Sequence, residues 1–184
     1  MKKYILFDTE FTAWKNSLKT NWSKPNEYRE IIQIAAFKIN DGKIVDTLNI
    51  YIKPNINKKL STFITNLTGI TNYKLKKYGI SFKKAIEKFY KFSGSYPLYS
   101  YGNDYDVIKE NLLLNEIKEL KYFNWNKNFK DFKKIIKKKS KINPLKYTSG
   151  TIHKAFNIKM NDNFKPHNSF SDIKSMFEVC KIIL

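Results

Sequence analysis

Two carboxylates stand two positions apart near the start of the chain, where an apolar run ends. The segment is YILFDTEFT, residues 4–12, and the acidic pair is Asp8 and Glu10. Side chains two apart on an extended strand project to the same side, so both carboxylates can face one object. Because like charges repel at that range, we expect a positive group between them. A turn with two solvated charges is the alternative.

Two further segments carry residue types that could join such a site. Asp104, in SYGNDYDVI, follows a short predicted strand and a glycine, and it opens a predicted helix. Taken alone it is a candidate helix N-cap, and Asp106 competes with it for a functional role. His167 and Asp172, in HNSFSD, flank the start of the last predicted helix. Asp172 also fits a capping box, whereas His167 follows a proline in a polar stretch and is not expected in the core.

The hydrophobic pattern predicts the strands that must position these residues. A first strand is expected at 3–7, and a second at 30–39 is apolar enough to be buried on both faces. Asp41-Gly42 then signals a hairpin turn into a third strand over 44–54. Short fourth and fifth strands are expected at 96–101 and 121–125.

Helices are expected between and after the later strands, with apolar residues along one side of each. Their expected positions are 59–69 ending at Gly69, 81–94 capped by Ser81, a helix from about Asp104, 129–141, a short helix in 148–158, and a last helix from about 169. Strands followed by interleaved helices and strands predict an α/β fold with one mixed sheet and helices on both faces.

Length and composition indicate one globular domain. The chain has 184 residues, of which 42% are hydrophobic and 16% aromatic, and we expect a single domain over 1–184. Its one cysteine, Cys180, excludes an internal disulfide framework and a zinc site built on paired cysteines. The sequence shows no signal peptide and no apolar stretch long enough to span a membrane, so a cytoplasmic protein is expected.

The formal charge of +19 points to a polyanionic partner, and nucleic acid is the expected one. Arg29 is the only arginine, so 34 of the 35 basic residues are lysines. Lysine contacts phosphate as a point charge, whereas bidentate reading of guanine usually uses arginine. We therefore expect contacts to the nucleic-acid backbone more than to bases. A compositional drift that merely leaves a basic surface is the alternative, and the sequence points to no particular protein partner.

Taken together, the motifs resemble the DEDDh family of DnaQ-like 3′→5′ exonucleases. The resemblance rests on Asp-x-Glu ending the first strand, an aspartate at a helix start and His-x4-Asp at the last helix. REIIQIAAFKI (29–39) is similar to the family's second strand, and FITNLTGIT (63–71) to its Leu-Thr-Gly-Ile-Thr segment near the substrate cleft. The resemblance implies an RNase H-like fold, in which a mixed five-stranded sheet has strand 2 antiparallel to the others and helices flank both faces.

The resemblance also implies hydrolysis of phosphodiester bonds with two Mg²⁺ ions, for which Mn²⁺ would substitute. Asp8 would bridge both ions, Glu10 and Asp172 would complete the site on the nucleophile side, and Asp104 would support the second ion partly through water. His167 would be the general base for the attacking water, because an imidazole titrates near neutral pH.

Substrate contacts are implied by the same family resemblance. Phe11 and Thr12 would hold the sugar of the terminal nucleotide, while Leu67, Thr68 and Ile70 would pack on terminal bases. The segment 13–28, with Trp14 and Trp22 among lysines and asparagines, departs from the broader family and resembles a small, stand-alone exoribonuclease-like branch.

The expected function is therefore a metal-dependent exonuclease that shortens single-stranded nucleic acid from the 3′ end and releases nucleoside 5′-monophosphates. RNA is slightly favoured over DNA through the branch resemblance alone. A basic nucleic-acid-binding domain without activity is the alternative from another class, and a metal-dependent endonuclease is a third possibility.

Overall fold

A mixed sheet of five strands forms the centre of the computed structural model, which describes residues 2–184 apart from the side chains of residues 120, 123 and 126. The strands are β1 Lys3–Phe11, β2 Ile31–Asn40, β3 Lys43–Tyr51, β4 Leu98–Ser100 and β5 Phe129–Asp131. Their order across the sheet is β3-β2-β1-β4-β5. Strand β2 pairs antiparallel with β1 and β3, while β4 pairs parallel with β1 and β5. The predicted arrangement, with strand 2 antiparallel to the others, is confirmed.

Eight helices and three short 3₁₀ segments surround this sheet in the described part of the chain. The helices are α1 Ser17–Thr20, α2 Thr62–Thr68, α3 Asn72–Tyr78, α4 Phe82–Ser93, α5 Asp104–Leu114, α6 Leu120–Phe123, α7 Phe132–Lys139 and α8 Ser169–Ile183. The 3₁₀ segments are Asn124–Asn128, Pro144–Lys146 and Ile152–Phe156. Within residues 2–184, no helix combines the length and apolar character needed to cross a membrane.

Alternation along β1 divides the core into two layers, one on each face of the sheet. Ile5 and Phe7 pack with α4 and α5 on one face. Tyr4 and Leu6 pack with α7 and α8 on the other face. Because successive side chains of a strand point to opposite faces, the next residues of β1 continue the same alternation toward its carboxyl end.

Turn and cap residues place the element ends where the sequence predicts them. Asp41 and Gly42 both have positive φ, as the tight turn between β2 and β3 requires. Ser81 caps α4 by accepting a hydrogen bond from the Lys84 N–H, and Gly69 follows α2 with a φ of 70°.

The prediction of a fifth strand at 121–125 is wrong. That segment forms α6 and the start of a 3₁₀ segment, and the strand lies instead at Phe129–Asp131. There Phe129 pairs with Leu98 of β4 and stacks on Tyr105 with ring centroids 4.1 Å apart. The helix expected over 129–141 accordingly begins later, at Phe132, with Asp131 as its N-cap.

Candidate active site

The carboxyl end of β1 brings two of the predicted acidic residues together with α8. Asp8 and Glu10 project to the same face of the sheet, and Asp172 lies in the first turn of α8. One carboxylate oxygen from each of the three lies within 4.8 Å of the others. Asp8 is 6% exposed and Asp172 is 4% exposed. Two residues of β1 and one from the far end of the chain thus form an acidic cluster, in which Asp8 and Asp172 are buried and Glu10 is half-buried.

Asp172 is held in place by two segments that precede α8, one on each side of the 3₁₀ segment Ile152–Phe156. The Ser149 hydroxyl donates to Asp172 Oδ2 at 3.1 Å, and the His167 N–H donates to Oδ1 at 3.0 Å. Gly150 lies so close that an added Cβ would stand 2.8 Å from Asp172 Cγ and 2.9 Å from Pro166 Cβ. The carboxylate of Asp172 therefore depends on a neighbour that has no side chain.

Asp104 approaches the cluster from the opposite face of the sheet, at the start of α5. Its Oδ1 accepts hydrogen bonds from the Thr9 N–H at 3.1 Å and from the Thr9 hydroxyl at 2.5 Å. Asn103, and not Asp104, stands at the N-cap position of α5, so the capping interpretation of Asp104 is not what the structure shows. Asp106 points outward and forms an ion pair with Lys109 at 2.7 Å. Of these two aspartates, the structure places Asp104 beside Asp8.

Burial raises the pKa values of all four carboxyl groups, and neighbouring carboxylates raise those of Asp8 and Glu10 further. Burial first, and then the negative charges of Asp104, Asp172 and Glu10, raise the pKa of Asp8 well above its usual range. Burial and the same neighbouring aspartates raise the pKa of Glu10 to about 8. Burial raises the pKa of Asp172 to about 6, against the lowering effects of Ser149 and His167. Burial also raises the pKa of Asp104, although the hydrogen bonds from Thr9 oppose this rise.

The chemistry of these donors fits hard divalent cations. Clustered carboxylate oxygens are the ligands that Mg²⁺ and Mn²⁺ prefer, and a cation among them would remove the repulsion that raises their pKa values. Among the described residues, Asp8, Glu10 and Asp172 are close enough to share one ion, and Asp104 is near enough for its charge to raise the pKa of Asp8.

His167 lies directly beside the acidic cluster. It is half-buried, and its backbone has a φ of 66°, which non-glycine residues rarely adopt. Its charged form lowers the pKa of Asp172. The structure thus places the one candidate base next to a carboxylate of the cluster.

Two clefts border the cluster and meet at Phe11 and Leu18. One has a volume of about 500 Å³ and is lined by Asp8, Asp104 and Lys133 among others. The second has a volume of about 370 Å³ and borders Glu10. Leu18 belongs to the 13–28 segment and is 84% exposed. Because Leu18 lines both clefts, the 13–28 segment forms part of the site.

Of the five residues predicted to contact substrate, two line a cleft and three are buried in the interior. Phe11 and Leu67 line the second cleft. Thr12 does not reach it, since its hydroxyl donates to the Tyr28 carbonyl and accepts from the Glu30 N–H. Thr68 and Ile70 are also buried.

Sequence reasoning missed three residues that shape this region. Phe63 lines the second cleft beside Leu67, and its spacing of four residues on α2 was the available signal. Thr9 and Gly150 fix Asp104 and Asp172, respectively. No sequence signal identifies their partners, because the contacts join segments far apart in the chain.

The sheet order and the acidic cluster define an α/β domain with a carboxylate site at the carboxyl end of its central strand. Residues 5–180 match the family model described as Exonuclease, of the RNase T type. The chain therefore belongs to the exonuclease family. This membership confirms the resemblance drawn from the motifs and the expected enzyme class.

Similar proteins agree with this membership. The chain is 33% identical over 105 residues to a PolC-type DNA polymerase III of Caldanaerobacter subterraneus, an alignment covering 57% of this chain and 7% of the relative. It is 35% identical over 71 residues to the 3′-5′ exonuclease DinG of Bacillus subtilis, which covers 39% of this chain and 6% of the relative. The chain thus spans under a tenth of the length of these curated relatives.

Solved structures share the fold. The nuclease domain of 3′hExo, a DEDDh family member bound to rAMP, has a TM-score of 0.79 and 21% identity, covering 97% of this chain and 90% of that one. Escherichia coli exonuclease I in complex with a dA16 oligonucleotide has a TM-score of 0.68 and 15% identity, covering 100% of this chain and 41% of that one. These likenesses confirm the predicted RNase H-like architecture.

Proposed function

We propose that this chain is a metal-dependent 3′→5′ exonuclease that hydrolyses single-stranded nucleic acid and releases nucleoside 5′-monophosphates. The observation that carries the proposal is the convergence of Asp8, Glu10 and Asp172 within 4.8 Å in an exonuclease-family chain. We further propose that residues 1–184 act as one domain.

Two divalent cations, Mg²⁺ or Mn²⁺, are the proposed cofactors. When bound, they would activate the attacking water and stabilise charge on the phosphoryl oxygens. Asp8, Glu10 and Asp172 would hold one ion, and Asp8 together with Asp104 would hold the second, since the charge of Asp104 also acts on Asp8. Thr9 would keep the Asp104 carboxylate oriented through its two hydrogen bonds.

His167 is the proposed general base. An imidazole nitrogen would accept the proton of the attacking water, and the neighbouring Asp172 carboxylate would stabilise the positive charge that results. The hydrogen bond from the His167 N–H to Asp172 fixes the backbone that carries the imidazole.

The substrate's 3′-terminal nucleotide is proposed to enter the clefts beside Phe11. Leu67 and Phe63 offer apolar surface for a base, and the indole rings of Trp14 and Trp22 line the same cleft. RNA is slightly favoured over DNA, through the resemblance to the small exoribonuclease-like branch alone; of the structural neighbours, 3′hExo carries rAMP and exonuclease I carries DNA. The 13–28 segment, which supplies Leu18 and both tryptophans, would shape this cleft.

The test uses single-stranded RNA and DNA labelled at the 5′ end, incubated with Mg²⁺ or Mn²⁺. The native chain should produce a ladder that shortens from the 3′ end, and Asp8→Asn should abolish it together with divalent-cation binding. His167→Ala should slow turnover by about 10²–10⁴-fold while leaving substrate affinity within about twofold, as expected for loss of a general base.

A circular single strand is the control for the mode of cleavage. Its cutting would identify an endonuclease, and an unchanged ladder with Asp8→Asn would contradict the proposed site. Binding without any shortening by the native chain would favour the non-catalytic alternative.

A further inference from the structure

A cavity lined by four lysines lies on the α3 side of the molecule, outside the carboxylate site. Its volume is about 610 Å³, and its cationic residues are Lys53, Lys58, Lys59 and Lys76. Pro54, Asn72 and Leu75 complete the lining, so no carboxylate takes part in it. Four like charges around one concave surface repel one another, and an anion placed among them would relieve that repulsion.

These lysines have no acidic partner within the described residues. None of the four forms an ion pair there, whereas Lys83, Lys91, Lys109 and Lys181 each pair with a carboxylate. Lys53 also lies against the end of α3, where a Cβ added at Gly79 would stand 2.9 Å from Lys53 Cγ. The ammonium groups are therefore available to a ligand, and one of the lysine stems is held by packing.

A buried carboxylate fixes the loop that carries three of the lysines. Glu30 is 2% exposed, and its carboxylate accepts hydrogen bonds from the backbone N–H groups of Asn55, Ile56 and Asn57 at 2.6, 2.8 and 2.5 Å. Three charge-assisted hydrogen bonds to one carboxylate give this loop a defined shape. The lysines at 53, 58 and 59 are thereby presented by an ordered backbone.

The same residue connects this loop to the active-site strand. The Glu30 N–H donates to Thr12 Oγ1 at 3.0 Å, and the Thr12 N–H donates to the Glu30 carbonyl at 2.9 Å. Thr12 follows directly on β1, which carries Asp8 and Glu10. A second connection runs through α2, which lines the cleft beside Glu10 and is joined to α3 by residues 69–71.

Exposed aromatic rings also lie on α3, outside the lining of the cavity. Tyr73 is 71% exposed and Tyr78 is 56% exposed. The Lys77 ammonium lies 6.0 Å from the Tyr73 ring centroid and 5.0 Å from that of Tyr78. Lysines interleaved with exposed aromatic rings are typical of surfaces that bind unpaired nucleotides through phosphates and base stacking.

We propose that the lysine cavity binds the sugar–phosphate backbone of a single-stranded nucleic acid whose 3′ end lies at the carboxylate cluster. The inference rests on the proposed exonuclease function and extends it, because it assigns a second contact region to the strand upstream of the cleaved bond. The aromatic rings of α3 favour a nucleic acid over an acidic protein segment, which offers no bases to stack.

The test compares a cavity variant, Lys53→Gln/Lys58→Gln/Lys59→Gln/Lys76→Gln, with a control variant that loses the same charge elsewhere, Lys2→Gln/Lys3→Gln/Lys43→Gln/Lys88→Gln. Binding of a 20-nucleotide and a 4-nucleotide single strand is measured by fluorescence anisotropy in EDTA, so that no strand is cut. A cooperative thermal transition of each variant, with a midpoint no lower than that of the native chain, establishes that the fold is intact.

The cavity variant should bind the 20-nucleotide strand about tenfold more weakly than the control, with a salt-dependence slope smaller by about 3 if four phosphate contacts are lost. Its affinity for the 4-nucleotide strand should stay within about twofold. Equal affinities of the cavity and control variants for the long strand would overturn the proposal. The proposal would also be overturned if the cavity variant lost affinity for polyglutamate, an acidic peptide, but kept its affinity for the nucleic-acid strand.

Failure of this proposal is distinct from failure of the proposed function. The binding measurement needs no catalysis, whereas the exonuclease assay depends on the carboxylate cluster. Suppose that the native chain shortens a dinucleotide and a long strand at the same rate, and that the cavity variant does so equally well. The proposed exonuclease function would then stand, and the second contact region would be excluded.

Discussion

Gly150 and Thr9 have no proposed part in proton transfer, yet each positions one carboxylate. Thr9 donates both its N–H and its hydroxyl to Asp104, and Gly150 leaves the space that Asp172 occupies. Because catalysis depends on the placement of reacting groups to within a fraction of an ångström, such residues affect turnover without touching substrate.

Gly150→Ala tests this dependence at the scale of one atom. The added Cβ would lie 2.8 Å from Asp172 Cγ, so the carboxylate must shift, and we expect exonuclease turnover to fall about 10²-fold. Thr148→Ala, in the same turn, is the matched control, because the Thr148 hydroxyl contacts Thr151 and not Asp172. Turnover and divalent-cation affinity are measured for both variants. Native-like cation binding by Gly150→Ala would contradict the proposed crowding.

At the scale of elements, the site exists because helices from both faces of the sheet reach the end of one strand. Helix α8 brings Asp172 over the face that carries Asp8 and Glu10, while α5 brings Asp104 from the opposite face. The parallel pairing of β1 with β4 sets the start of α5 beside the end of β1. Alternation of side chains along β1 then presents Thr9 to α5 and its acidic neighbours to α8.

Glu30 performs a similar connecting role between β2 and the loop at 55–57. Glu30→Gln removes the charge that three backbone N–H groups donate to, and we expect the free energy of unfolding to fall by about 2–3 kcal/mol. Urea denaturation measures the change. Glu119→Gln is the control. The Glu119 carboxylate lies 4.0 Å from the ammonium group of the exposed Lys83, and such a surface pair should contribute little to the free energy of unfolding. Similar losses in both variants would contradict the special role of Glu30.

Over the whole molecule, a strongly basic surface is combined with an acidic cluster at the candidate active site. The formal charge of +19 attracts polyanions, whereas the carboxylates near Asp8 repel phosphate and one another. Divalent cations resolve this conflict, because they neutralise the cluster and can face a phosphate at the same time.

The raised pKa values predict how metal-free stability depends on pH. An ordinary carboxyl group has a pKa of about 4, whereas the pKa of Glu10 is about 8 in the folded chain. Between these two pH values, the folded chain holds more protons than the unfolded chain. The contribution of Glu10 therefore lowers the free energy of unfolding as pH rises through this window. In EDTA at pH 8, Glu10→Gln should raise the thermal midpoint by about 3 °C or more, and near pH 4 the difference should vanish.

Divalent cations should offset the loss of stability that the native chain shows as pH rises. Since Mg²⁺ or Mn²⁺ binds the folded native chain, its midpoint should rise more at pH 8 than at pH 5, where protons compete for the carboxylates. Differential scanning calorimetry measures both effects. An identical cation-induced rise for the native chain and for Glu10→Gln would exclude Glu10 as a ligand.

Local patterns in the sequence were sufficient for the elements with strong signals. Apolar runs located β1 and β2, although β1 continues to Phe11 beyond the expected end at residue 7; the Asp41–Gly42 turn joined β2 to β3, and Ser81 with Gly94 bounded α4. The acidic residues at 8, 10, 104 and 172 could be named because the motifs surround them with these elements. Such signals depend on neighbours in the chain, and local physics is enough to interpret them.

Tertiary structure decided what depends on partners distant in sequence. The aromatic segment 121–125 has strand-like composition, but β4 pairs with 129–131, since strand formation requires a neighbour for its backbone groups. Burial of Thr12, Thr68 and Ile70, the choice of Asp104 over Asp106, and the space at Gly150 are likewise set by contacts across the fold. Residue types and their spacing specify the chemistry that the chain carries, whereas the packing of distant segments sets which atoms meet, because hydrogen bonds and steric exclusion act in space and not along the chain.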